Sequence, residues 1–355
     1  MKIKITLVLV LVSVIASTAL TAQSTPAAAL LALSKKDHTL AIVNPATLQV
    51  IARVPIGNDP HEVIASSDGK TAYVSNYGFG AYNTLAAVDL VGQKALPAID
   101  LGALRGPHGL DFVGGKVWFT AEAAKAIGRY DPATQKVDWI LGTGQNRTHM
   151  IFVSQDMKWI VTTNVSSGTV SIIEKTAGRA GPPPGGPPLG GSGGPPPGPP
   201  PGPPGGDWNE TVVPVGNGSE GFDITPDSSE IWVANAQDGT VSIIDAAKKQ
   251  VIQTLDVNAK GANRLKFTLD GKMALISSLR GPDLLILDRA TRTVIKRVPV
   301  GHGAAGILME PGGARAFVAC SPDNYITVID LKSLSAAGRI DVGGNPDGLA
   351  WASRQ

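Results

Sequence analysis

The chain has 355 residues, a formal net charge of +2, 42 glycines and only 5% aromatic residues. A balanced charge with scattered Lys and Arg excludes a phosphate-tracking groove, so nucleic acid is not an expected partner. Apolar residues fall in short runs punctuated by Gly, Asp, Asn and Pro, the pattern of many strands joined by tight turns, which predicts an all-β fold.

The N-terminus opens with Met1-Lys2-Ile3-Lys4, continues with an apolar run from Ile5 to Ala16, and ends in small residues up to Ala19 and Ala22. A basic start, a short apolar stretch and a small-residue end predict a secretory signal peptide over residues 1–22. The run is shorter than the roughly 20 apolar residues that cross a bilayer, so no membrane span is expected after cleavage. The mature chain, 23–355, is therefore expected to be secreted or periplasmic. Its single thiol, Cys320, excludes an intramolecular disulfide and reads as a small buried strand residue.

Beyond the leader comes TLAIVNP at 39, then QVIARVPIG at 49, then DPHEVIASSDGKTAYVSNYG from Asp59 to Gly78. The last phrase returns as Ser154–Asn164 (SQDMKWIVTTN), Thr225–Asn235 (TPDSSEIWVAN), Leu269–Ser278 (LDGKMALISS), Glu310–Cys320 (EPGGARAFVAC) and, eroded, Gly114–Glu122 (GGKVWFTAE). Each copy is followed by a strand of the TVSIID type, and most by one of the QVIQTLDV type, so the unit is four short strands. Positions equivalent to His61 are His108, His149, Glu220, Asn263, Ala305 and Asp347, at intervals of 47, 41, 71, 43, 42 and 42 residues.

The long interval holds GRAGPPPGGPPLGGSGGPPPGPPPGPPGG, Gly178–Gly206; without those 29 residues it becomes 42. Pro and Gly at this density offer too little side chain to offset ordering, which predicts a disordered loop. Seven such units predict a single seven-bladed β-propeller, because radial packing buries both faces of each small sheet. The chain starts with strands two to four of a blade and ends with a lone first strand, Asn345–Ala352, so pairing of the termini is expected to close the ring.

The repeated phrases, with Tyr73-Val74-Ser75-Asn76 closing the second strand, resemble the YVTN β-propeller repeat family over nearly all of the mature chain. That resemblance implies a secreted or cell-surface propeller, surface-layer components among its relatives, and no particular reaction. Related propeller domains occur in nitrous-oxide reductase and in cytochrome cd1, and the Cys-x-x-Cys-His haem-attachment motif is absent here. Glu122, Ser278 and Cys320 depart from the repeat's Asn.

The Asp-Gly pairs at 68 and 270 read as tight hairpins. The histidines read differently. His61, His108 and His149 share one repeat position in three successive blades, with Glu220 in the next, and in a propeller that position lies on the innermost strand at the mouth of the axial channel. Three imidazoles and a carboxylate converging there suit one divalent transition metal such as Zn, Fe or Cu. The same residues equally suit loop capping and general polarity. Tyr77, Asn76, Asn164, Asn235, Arg105, Arg147 and Arg264 are expected on the same face, where they can hold a polar or anionic small molecule or an envelope protein. Two functions follow: a monomeric propeller that binds a ligand or partner at the channel mouth, or a metal-dependent enzyme, an oxidoreductase or a lyase- or lactonase-like hydrolase, using His61, His108, His149 and Glu220.

Overall fold

A computed structural model describes residues 23–176 and 207–354, so the expected signal peptide and the Pro/Gly insertion at 178–206 lie outside the described residues. Twenty-eight strands form seven four-stranded antiparallel sheets. The blade that begins at His61 is typical: Pro60–Ala65, Thr71–Asn76, Thr84–Asp89 and Lys94–Asp100 lie side by side in that order. The first strands of successive blades neighbour one another around the whole ring, so they line the axis.

Burial follows from this arrangement. Second and third strands are apolar on both faces because a blade packs on each side, and Trp118, Phe119, Trp232 and Phe317 are fully buried there. Fourth strands are largely exposed because they face solvent at the rim, and Lys136–Gly142 alternates exposed and half-buried positions there. Asp68 anchors its hairpin as expected, accepting from Ser66 Oγ at 2.6 Å and from the Lys70 N–H at 3.0 Å. Cys320 is buried, and burial pushes its thiol up to about 11. Among the described residues, no helix is long and apolar enough to cross a membrane.

The ring closes as the end strands predict. Pro346–Ser353 pairs with Ala28–Ser34, placing Leu30 opposite Trp351 and Leu31 opposite Ala350, and one blade is thereby built from both ends of the chain.

Two devices set the axial strands in place. Residue 109, directly after His108, is glycine because a Cβ there would sit 2.5 Å from the carbonyl oxygen of His149 in the next blade; Gly221, Gly306 and Gly348 meet the same limit. A hydroxyl on the second strand then ties neighbouring blades. Thr120 Oγ1 accepts from the Gly109 N–H at 2.9 Å and donates to the His149 carbonyl at 2.7 Å. Thr163 donates likewise to the Glu220 carbonyl at 2.6 Å, and Ser277 to that of Ala305 at 3.0 Å. The backbones of His149, Glu220 and Ala305 are thus each held by the blade before.

Candidate functional site

Every blade turns into its first strand through a left-handed residue two positions before the axial one: Asp59, Gly106, Arg147, Gly218, Gly261, Gly303 and Asn345, with φ between +46° and +84°. In each case its carbonyl accepts from the N–H that follows the second strand, as Arg147 does from Val165 at 3.0 Å and Gly106 from Glu122 at 2.9 Å. This repeated clasp delivers the axial side chains to one mouth of the channel.

His61, His108 and His149 do come together there, as a stack across three blades. Ring centroids lie 5.0 Å apart for His61 and His108 and 3.9 Å for His108 and His149. His108 and His149 are each 2% exposed. Burial, with the neighbouring imidazoles adding to it, drives His108 well below its ordinary pKa, so the ring is neutral, and its buried Nδ1 has no hydrogen-bond partner.

His149 lies between two carboxylates. Its Nδ1 donates to Glu122 Oε1 at 2.5 Å, and its Nε2 faces Glu220 Oε2 at 2.8 Å, off the line of a hydrogen bond. Burial alone would lower its pKa, but the Glu220 charge and the bond to Glu122 outweigh burial and raise it. Burial would likewise raise Glu220; the His149 charge, then Arg147, bring it down to about 2 instead. Glu122 is also held low, with the Tyr77 hydroxyl donating to its Oε2. Ligand atoms of His108, Glu122 and His149 all lie within 4.8 Å of one another, a spacing that small side-chain rotations can close around an ion.

His61 stands at the edge of this group. Lys35 Nζ approaches its Nε2 at 2.7 Å, Asp59 Oδ1 lies 3.2 Å from the same nitrogen, and Asp347 Oδ2 is 3.6 Å from Nδ1. Its nitrogens are committed to an ion-pair cluster of Lys35, Asp59 and Asp347, of which the repeat register singled out only Asp347.

The other expected mouth residues separate by role. Asn76, Asn164 and Asn235 are buried and serve the scaffold: Asn76 Nδ2 donates to the Ile56 and Asn58 carbonyls, while Asn164 and Asn235 donate to hydroxyls on the third strand of their own blades. Arg105 is exposed and donates to the Ala81 carbonyl at 2.6 Å. Arg264 is buried and paired with Glu62, a strut between two blades that are not neighbours, so it spans the channel. Tyr77 and Arg147 remain beside the histidines. Arg147 is 39% exposed over its side chain, with Nε 3.5 Å from Glu122 Oε2 and Nη1 3.5 Å from Glu220 Oε1.

The strongest addition to the site is Glu122. The repeated phrase aligns it with Asn76, Asn164 and Asn235, but the strand register gives that place to Ala121: Glu122 is the residue that follows the second strand, equivalent to Tyr77 and Val165.

Neither a protein-family model nor a curated protein matches the sequence. The fold is similar to solved structures at low identity. A functionally unknown protein from Desulfotomaculum acetoxidans matches at TM-score 0.69 and 13% identity, over 92% of this chain and 99% of that one. A candidate 6-phosphogluconolactonase from Bacteroides uniformis matches at TM-score 0.69 and 16% identity, over 92% and 99%. A chain of hydrazine synthase from Kuenenia stuttgartiensis matches at TM-score 0.62 and 14% identity, over 82% and 89%. Identities this low carry the seven-bladed architecture and no activity.

Proposed function

We propose that the channel mouth is a divalent transition-metal centre held by His108, His149 and Glu122, with Glu220 as the adjoining carboxylate, in an exported YVTN-type propeller that binds a small ligand over the ion. The observation that carries this is the buried, neutral His108 with an unpartnered Nδ1 beside a second imidazole and a carboxylate. A buried polar nitrogen left unpaired costs about 1–3 kcal/mol, and a coordinate bond would use it. Two imidazoles and a carboxylate form a donor set suited to Zn, and one that leaves a coordination position open for a ligand. Such a position is what a metal-dependent hydrolase or oxidoreductase needs.

A second reading is favoured by the bracketing of His149. The imidazolium between Glu122 and Glu220 is already charge-balanced, which suits a metal-free polar plug under a ligand or an envelope-protein surface. Elemental analysis of protein purified without chelator separates the two. A metal centre gives about one Zn, Fe or Cu per chain, lost in His108→Ala, His149→Ala and Glu122→Gln, with proton release on uptake because His149 must be neutral to bind. No stoichiometric metal, no uptake on addition of zinc, and a His108→Ala variant with unchanged ligand binding would leave only the polar plug.

A further inference from the structure

Arg147 occupies a position its fold does not want it to occupy. Of the seven equivalent clasp residues, four are Gly and two are Asp or Asn, the types that tolerate the left-handed region; Arg147 alone is neither, at φ +59°. A long cationic side chain here brings a conformational cost that Gly would avoid. The cost is not recovered in good hydrogen bonds, because both nearest carboxylate oxygens lie at 3.5 Å. Arg264 shows the contrast: it is buried, at 8% side-chain exposure, and hydrogen-bonded to Glu62 across the channel. Arg147 instead reaches over His149 between Glu122 and Glu220, with 39% of its side chain open to solvent.

Charge sets the kind of ligand. Glu122, Glu220, the His149 imidazolium and Arg147 sum to zero as they stand. Adding a dication to that set and releasing the His149 proton brings these groups and the ion to +1, with Arg147 presenting a planar fork of N–H donors matched to carboxylate and phosphate oxygens.

We propose that Arg147 is a specificity-determining residue that seats an oxyanion, the carboxylate or phosphate group of the ligand, over the metal centre. This rests on the metal reading above. The anion bridges guanidinium and ion, and neutral molecules of the same size are discriminated against.

The test uses the mature full chain loaded with zinc, and measures binding of inorganic phosphate, acetate and neutral acetamide by calorimetry. The wild type binds phosphate and acetate in preference to acetamide. Arg147→Gly, which restores the residue found in four sibling turns, keeps the zinc stoichiometry and an equal or higher melting temperature yet binds the anions at least tenfold more weakly; Arg147→Lys falls between. A preference for phosphate over acetate assigns a phosphorylated ligand, and the reverse a carboxylic acid. Unchanged anion affinity in Arg147→Gly overturns the proposal, as does a variant that loses zinc or melts lower, since Arg147 is then a counter-ion for Glu122 and Glu220. If the wild type takes up no zinc, the metal reading fails by itself. The same titrations on the metal-free chain then decide Arg147: Arg147-dependent anion binding upholds the seat, and its absence removes it.

Discussion

At the scale of single residues, the site is a chain of protons held by burial and charge. His149 has a raised pKa, so its imidazolium contributes stability that is complete below the ordinary histidine value near 6.5 and fades as pH rises through the raised one. Glu220 runs the other way. Its carboxyl is held at about 2, so its contribution is present above the ordinary value near 4.5 and is lost as pH falls toward 2. His108 stays neutral when folded, so an unfolded chain that takes up its proton below about pH 6.5 draws stability away in acid. The metal-free protein is therefore expected to lose stability steadily on acidification from pH 6.5. Glu220→Gln should be less stable than the wild type at pH 6, because His149 loses one of its two counter-charges, and should show a shallower acid limb between pH 4.5 and 2. Urea midpoints of both proteins across pH 2–8 check this, and parallel curves would show that Glu220 is not coupled to His149.

At the scale of elements, the placement of those side chains depends on second-strand hydroxyls that belong to the neighbouring blade. Thr120 is fully buried, and its Oγ1 satisfies both the Gly109 N–H and the His149 carbonyl. Thr120→Val keeps the shape of the side chain and strands two buried backbone groups, a loss of about 2 kcal/mol. Because the carbonyl it releases is that of His149, metal or ligand affinity should fall several-fold as well. Thr120→Ser, which keeps the hydroxyl, should retain most of the affinity and lose only the packing of one methyl group. Equal binding by the two variants would mean the relay supports the fold without positioning the site. The Pro/Gly insertion offers the opposite control. Its flanks are the third and fourth strands of a blade, Thr169–Lys175 and Trp208–Pro214, whose connection leaves on the face away from the histidines. Thr176 and Asp207 already meet through a 2.8 Å backbone hydrogen bond. Deleting 178–206 should leave the melting temperature and any zinc affinity within error of the wild type.

At the scale of the whole molecule, the ring was legible in the sequence because its physics is periodic: each blade needs the same buried strands, the same hairpins and the same closing residue, so the period shows through divergence. The site was legible only in part, because it is built from departures from that period. His61, His108 and His149 stood out by sharing a register, yet register cannot tell that the Lys35 side chain, from the neighbouring blade, engages His61. Glu122 lies one residue beyond the scaffold position at which the repeated phrase aligns it, and only the three-dimensional structure shows its carboxylate turned to His149. Pairing of the termini belongs to the legible part and carries a strong expectation. Pro346–Ser353 supplies the first strand of the closing blade and buries Ala350 and Ala352 against Ala29 and Leu31. It also carries Asp347 to the cluster around His61 and Lys35. A chain ending at Gly343 loses an entire strand, exposing the edge of Ala28–Ser34 and both neighbouring blade faces, so unfolding should become less cooperative and the melting temperature should drop by ten degrees or more, on the order of several kcal/mol for a ring of this size. Supplying residues 344–355 as a separate peptide should restore much of that loss, since the edge strand Ala28–Ser34 that it joins is buried apolar surface needing cover. A truncated protein that melts with the wild type would mean that the ring closes without this strand.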